Sequence, residues 1–168
     1  MRIRKVEARD KEELAKLILR FHDHTQNFLS KKQAQIREYN NPQKVAKEKA
    51  EEYLSSEYLC FAADENGLLT GFVTGEIKEK KGRVYDKEGW VKNWYVDEGH
   101  RGKGIGEELF HKLEEEFKKE GCTHVGLDTH LENKKAIKIY EHLGFNKRLV
   151  TFFKPLKDLD RKGSKLSS

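Results

Sequence analysis

Apolar positions recur at helical spacing where Ile105, Leu109, Leu113 and Phe117 share one face, and this period predicts a helix over about 104–120. Leu14, Leu17, Ile18 and Phe21 form a second such face, with Asp10 and Glu13 read as its capping box. A third helix follows Pro42, a residue suited to a first turn, and runs through Val45, Ala46, Ala50 and Tyr53. A fourth carries Ala136, Tyr140 and Leu143 on one face, with Asn133 as N-cap and Gly144 as C-terminal cap. Strand-like runs occupy 2–6, 58–63, 68–77, about 90–96, 125–128 and 149–153, and Asn66-Gly67 marks a hairpin between the second and third. The predicted order is β-α-α-β-β-β-α-β-α-β, a mixed α/β (α+β) layer fold. Residues 22–41 read as irregular and polar. Residues 1–156 are expected to form a single domain, and the sparsely apolar 157–168 a mobile tail.

Composition narrows the class. The chain has 168 residues, enough for one sizeable core without disulfides. Its net charge is +5, but acidic and basic residues are interspersed and 38% of all residues are charged, the pattern of a solvated surface rather than a nucleic-acid face. The two cysteines, Cys60 in an apolar run and Cys122 after Gly121, read as buried structural thiols of a reducing compartment. The N-terminus lacks the apolar core of a signal peptide, and no stretch approaches the ~20 apolar residues of a membrane span, so a soluble, cytoplasmic protein is expected. His22 and His24 point about 200° apart on a helix and do not converge on a metal ion.

Candidate chemistry begins at His100-Arg101-Gly102-Lys103-Gly104-Ile105-Gly106, between the run Trp94-Tyr95-Val96 and the strongest predicted helix. Strand, glycine-rich turn and helix N-terminus make a backbone-lined anion site, because unpaired N–H groups and the helix dipole both face the ligand. No Ser or Thr follows a Gly-Lys pair, which excludes a P-loop. Glu107 stands where the dinucleotide fingerprint needs its third glycine. Arg-x-x-Gly-x-Gly, Arg101 to Gly106, remains; read alone, such a turn is equally a structural connection.

Downstream, Asn133, Ala136, Tyr140, Gly144 and Phe145 spell N-x-x-A-x-x-x-Y-x-x-x-G-F. A capped amphipathic helix accounts for the asparagine, the glycine and the period but does not require a tyrosine seven residues after the cap. The two motifs, in this order, resemble those of the GNAT superfamily of N-acetyltransferases. The resemblance implies a mostly antiparallel central sheet flanked by helices, with acetyl-coenzyme A as cosubstrate. It places the pantetheine arm on the main chain of Trp94, Tyr95 and Val96, and the pyrophosphate on the N–H groups of Gly102, Lys103, Gly104, Ile105, Gly106 and Glu107. Arg101 and Lys103 add Coulomb attraction, or are simply solvated charges. Asn133 would hydrogen-bond the cofactor arm.

The implied reaction is direct attack of an amine on the thioester. A lysine-like amine with pKa near 10.4 must first lose a proton. Asp128, five residues ahead of Asn133, leads as the base, with Glu76, Glu88 and His130 as rivals. Tyr140 matches the family tyrosine that protonates the departing thiolate, and the N–H near Val96 would polarise the thioester carbonyl. The expected acceptor is a small cationic amine. Alternatives are a protein or peptide N-terminus or a lysine side chain and, in another class, a non-catalytic acyl-coenzyme A-binding regulatory module. Expected partners are the small-molecule amine or peptide substrate and a second copy of the chain in a homodimer, with no nucleic acid, membrane or metal.

Overall fold

In the computed structural model, which describes residues 1–156, five strands form one sheet in chain order: β1 (Arg2–Lys5), β2 (Tyr58–Glu65), β3 (Leu68–Glu79), β4 (Lys87–Val96) and β5 (His124–Gly126). The first four pair antiparallel, and β5 joins β4 in parallel. The helices are α1 (Lys11–Gln26), α2 (Lys31–Arg37), α3 (Pro42–Tyr53), α4 (Ile105–Lys119) and α5 (Lys134–His142). The expected tail, 157–168, lies outside the described residues. Among those described, no helix is long and apolar enough to cross a membrane.

The chain divides into two compact units, and the sheet lies wholly in the first, residues 1–23 with 41–128. On one face of the sheet, Leu14, Leu17 and Ile18 of α1 and Ala46, Ala50 and Tyr53 of α3 are buried with Cys60, Ala62, Phe72 and Tyr95. The opposite face packs against α4, whose predicted stripe Ile105, Leu109, Leu113 and Phe117 is buried throughout. A Cβ on Gly89 would lie 2.5 Å from the Phe117 ring, so only glycine allows the helix this close to the sheet. The β2–β3 hairpin turns at Asn66 and Gly67 with φ of 56° and 90°, as a two-residue turn of the favoured hand requires.

The predicted capping box of α1 is built differently. Asp10 ends a 3-10 turn, Ala8–Asp10, and its carboxylate accepts the Glu7 N–H at 2.8 Å. It also receives two bonds from Arg4, at 2.6 and 2.8 Å, while Arg4 Nε donates to Asp64 at 2.7 Å. Glu13 pairs with Lys16 instead. The Arg4 guanidinium holds both the Asp10 and the Asp64 carboxyls below the usual carboxylate range.

The second unit comprises 24–40 and, among the described residues, 129–156. Residues 22–41 are more ordered than their pattern suggested: α1 continues to Gln26, and α2 is set off by a Ser30–Gln33 capping box. Lys31–Arg37 has no apolar stripe, so periodicity could not reveal it. Helix α5 follows its sequence signals closely. Asn133 Oδ1 accepts the Ala136 N–H at 3.2 Å, and at the far end the N–H groups of Phe145 and Gly144 donate to the carbonyls of Tyr140 and Glu141. With Gly144 at φ 88°, this is a Schellman motif. The sixth strand expected over 149–153 does not form; among the described residues this segment joins no ladder, and β-branched and aromatic character cannot make a strand without a backbone partner.

Candidate functional site

Strands β4 and β5 are in register only over Glu88–His124, Gly89–Val125 and Trp90–Gly126. Beyond Trp90, β4 pairs with β3 alone among the described residues, so from Val91 to Val96 one edge of β4 is open. Which groups face that edge follows from ladder alternation. The Asp97 N–H donates to the Thr70 carbonyl at 2.8 Å. Residues on an antiparallel strand alternate between bonding their neighbour and turning away from it, so Tyr95 and Asn93 also bond β3. Trp94 and Val96 therefore direct their N–H and C=O groups to the open edge. The Val96 carbonyl is indeed found there, accepting the Nε–H of Arg101 at 2.8 Å.

The open edge leads into the glycine-rich turn. A 3-10 turn, Glu98–His100, follows the strand, and Gly102 and Gly104 come next with φ of 77° and 80°. Gly104 is the N-cap of α4 in the left-handed region and supplies no side-chain cap. The Glu108 N–H donates to the Gly104 carbonyl at 3.0 Å, so the N–H groups of Ile105, Gly106 and Glu107 precede the first helical bond. A Cβ at Gly102 or Gly104 would meet nothing within 4 Å, which leaves the space beside this backbone open. These residues fit a phosphate-bearing ligand: bare first-turn donors at the positive end of a 15-residue helix, with room beside them. Glu107 contributes its main chain, since its carboxylate lies 3.5 Å from His111.

Side chains tie this backbone in place. Arg101 folds back over the Tyr95 ring, 5.5 Å from its centroid, so it braces the turn against the strand end. The Trp94 indole N–H donates to the Gly106 carbonyl at 3.0 Å, and its ring stacks on Phe110 at 5.2 Å. Arg20 of α1 holds Asp97 at 2.9 Å, and burial, with Asp97 beside it, pushes the Tyr95 phenol up. The sequence alone did not disclose these ties, because each joins a side chain to a point set by the strand's end.

The structure thus brings Trp94, Tyr95, Val96 and Arg101 to Glu107 together in the first unit, with Asp128 exposed just beyond the end of β5. Asn133 and Tyr140 belong to the second unit. Seven residues is close to two helical turns, which sets Tyr140 on the same side of α5 as the capping asparagine. The Tyr140 ring packs edge-on against Phe145 at 6.1 Å, the apolar contact that accompanies the helix cap. Of the rival bases, Glu88 is buried between Lys80 at 2.5 Å and His124 at 3.5 Å, and Glu76 is flanked by Lys78 and Lys92. His130 Nε2 lies 2.7 Å from the Arg37 guanidinium, which can only donate. Among the described residues no three His, Cys, Asp or Glu side chains are placed to hold a metal ion.

Comparison with known proteins bears on the family and the fold. The family model described as Acetyltransferase (GNAT) family matches residues 21–145. N-alpha-acetyltransferase 30 of Xenopus laevis is 33% identical over 97 residues, which cover 56% of this chain and 35% of that protein. The [Ribosomal protein bS18]-alanine N-acetyltransferase of Escherichia coli strain K12 is 31% identical over 93 residues, 55% of this chain and 58% of that one. The chain therefore spans between about a third and three-fifths of these relatives' lengths. Aminoglycoside N-acetyltransferase AAC(6')-Iy, solved in complex with CoA, superimposes with a TM-score of 0.73 at 19% identity, covering 93% of this chain and 95% of that one. At that identity the likeness speaks for the fold alone.

Proposed function

Because the chain belongs to the acetyltransferase (GNAT) family, we propose that it moves an acetyl group from acetyl-coenzyme A to a primary amine by direct attack on the thioester. The observation that carries this reading is the continuity of the open edge at Trp94 and Val96 with the uncapped N-terminus of α4. That backbone suits a ligand whose amide-bearing arm ends in a pyrophosphate. The arm would bond the main chain of Trp94 and Val96, and the pyrophosphate the N–H groups from Gly102 to Glu107.

In the reaction, the amine nitrogen attacks the thioester carbonyl carbon, the carbon–sulfur bond breaks, and coenzyme A leaves as a thiolate. Asp128, exposed beyond β5, takes the proton that the amine must lose, directly or through water. The Tyr140 hydroxyl returns one to the thiolate. A phenol near pKa 10 giving its proton to a thiolate whose thiol has a pKa near 8.5 is uphill by about 2 kcal/mol, tolerable for a positioned transfer. The outward N–H of Val96 would polarise the thioester carbonyl, and Asn133 would bond the cofactor arm beyond its role as helix cap.

For the acceptor, the reading is a small cationic amine drawn by the carboxylate at Asp128. A second reading, the α-amine of a protein or peptide N-terminus, is favoured by the names of the N-alpha- and ribosomal-protein-alanine acetyltransferases among the relatives. Calorimetric titration with coenzyme A tests the donor half directly. Saturable binding that inorganic pyrophosphate weakens is expected, and absence of binding would overturn it.

A further inference from the structure

We infer that the Trp94 side chain is a positioning residue for the donor's pyrophosphate, locking the first turn of α4 to the strand that carries the thioester arm. The inference rests on the donor reading above, but it concerns the side chain, whereas that reading uses only the Trp94 main chain.

Three contacts carry it. The indole N–H donates to the Gly106 carbonyl at 3.0 Å, inside the first turn whose N–H groups form the anion site. The helical bond of that same carbonyl is to the N–H of Phe110, four residues on, and the indole ring stacks on the Phe110 ring at 5.2 Å with 23° between planes. One side chain therefore grips both ends of one helical turn. Gly106 lies directly against the ring: a Cβ there would be 3.5 Å from the indole nitrogen, in ordinary van der Waals contact.

The consequence is a fixed spacing. Main-chain groups of Trp94 face the open edge of β4, while its side chain holds the start of α4. Tilt or slide of the helix would change the separation between the pantetheine edge and the phosphate donors, and the indole bond opposes that movement. A tryptophan serving only as core filling would contribute to stability and act on every donor alike.

The test separates these roles with two donors, acetyl-coenzyme A and S-acetylpantetheine, which lacks the pyrophosphate and nucleotide. Trp94→Phe keeps an aromatic ring over Phe110 and deletes the N–H. We expect a rise of about tenfold in KM for acetyl-coenzyme A and in the calorimetric Kd for coenzyme A, consistent with loss of one hydrogen bond. With S-acetylpantetheine, whose arm would bond only the Trp94 main chain that the variant retains, the loss in kcat/KM should be several-fold smaller than with acetyl-coenzyme A. Equal losses with both donors, or no loss with either, would overturn the inference. Phe110→Leu, which weakens the stack and leaves the N–H, provides a second variant should Trp94→Phe fold poorly, and it should show the same selectivity for the longer donor. If the wild-type chain binds coenzyme A yet acetylates no amine, the proposed activity fails while the binding comparison still decides the role of Trp94.

Discussion

Arg101 reaches back five residues to donate its Nε–H to the carbonyl of Val96 at 2.8 Å, closing the glycine-rich turn onto the end of the strand that precedes it. Arg101 thus has a bonding role in the turn, apart from any Coulomb attraction its charge exerts. Arg101→Ala is expected to weaken coenzyme A binding about tenfold, or ~1.4 kcal/mol, the scale of one charge-assisted hydrogen bond. Arg101→Lys restores the charge but not the guanidinium geometry. Titration calorimetry should find the lysine variant close to the alanine one; full recovery with lysine would make charge, not bracing, the function.

Gly104 caps α4 at φ 80°, a conformation that L side chains resist. Gly104→Ala should cost about 1 kcal/mol and lower Tm by about 3 °C. Because the strain falls on the backbone that would hold the phosphates, coenzyme A affinity should drop about fivefold or more in the same variant. A thermal melt and a titration together check this, and a variant unchanged in both would remove the left-handed cap from the account.

Tyr140 is held by its place in α5 and by the edge of Phe145. Tyr140→Phe keeps the ring and that contact and removes only the hydroxyl. Turnover should fall about tenfold or more while coenzyme A affinity stays near wild type, as expected for a proton donor rather than a binding group. Steady-state kinetics beside calorimetry read the two quantities apart. Undiminished turnover would exclude the hydroxyl from the chemistry.

Stability should depend on acid through Arg4. Asp10 and Asp64 are held below the ordinary carboxylate range near 3.9, so in acid the unfolded chain binds more protons than the folded one. Their contribution is complete above the unfolded-state pKa and drains as pH falls through the lower folded-state values. Melting temperatures at pH 7, 4 and 3 should show the loss beginning near pH 4. Arg4→Met strands the buried Asp10 carboxylate and should cost about 3 kcal/mol at pH 7 while flattening the acid dependence. A variant with wild-type acid dependence would show that the network is not its source.

Much of this architecture could be read from local pattern. Ile105, Leu109, Leu113 and Phe117 announce α4 by their period, Asn66-Gly67 the hairpin, and Asn133 with Gly144 both ends of α5, because each signal lies within a turn or two of the structure it specifies. What could not be read depends on distance along the chain. Arg4 meets Asp64 across 60 residues, and the Trp94–Gly106 and Arg101–Val96 bonds exist only once β4 has ended beside α4. Helix α2 lacked an apolar stripe to betray it. Residues 149–153 had strand character, and among the described residues they found no ladder. The glycine-rich turn and the α5 motif were legible as a pair; the alternation that turns Trp94 and Val96 to the open edge needed the register of β3 and β4.

The central claim is amine acetylation from acetyl-coenzyme A, and release of the coenzyme A thiol measures it most directly. The assay sets the purified chain and acetyl-coenzyme A against polyamines, aminoglycosides, lysine-containing peptides and peptides with free N-termini. Thiol release that depends on a primary amine, with the acetylated product identified by mass, is predicted, strongest with small cationic amines. Turnover of peptide N-termini alone would move the acceptor to the second reading. No amine-dependent release from any acceptor, by a chain shown to bind coenzyme A, would contradict the claim and leave a donor-binding module without catalysis.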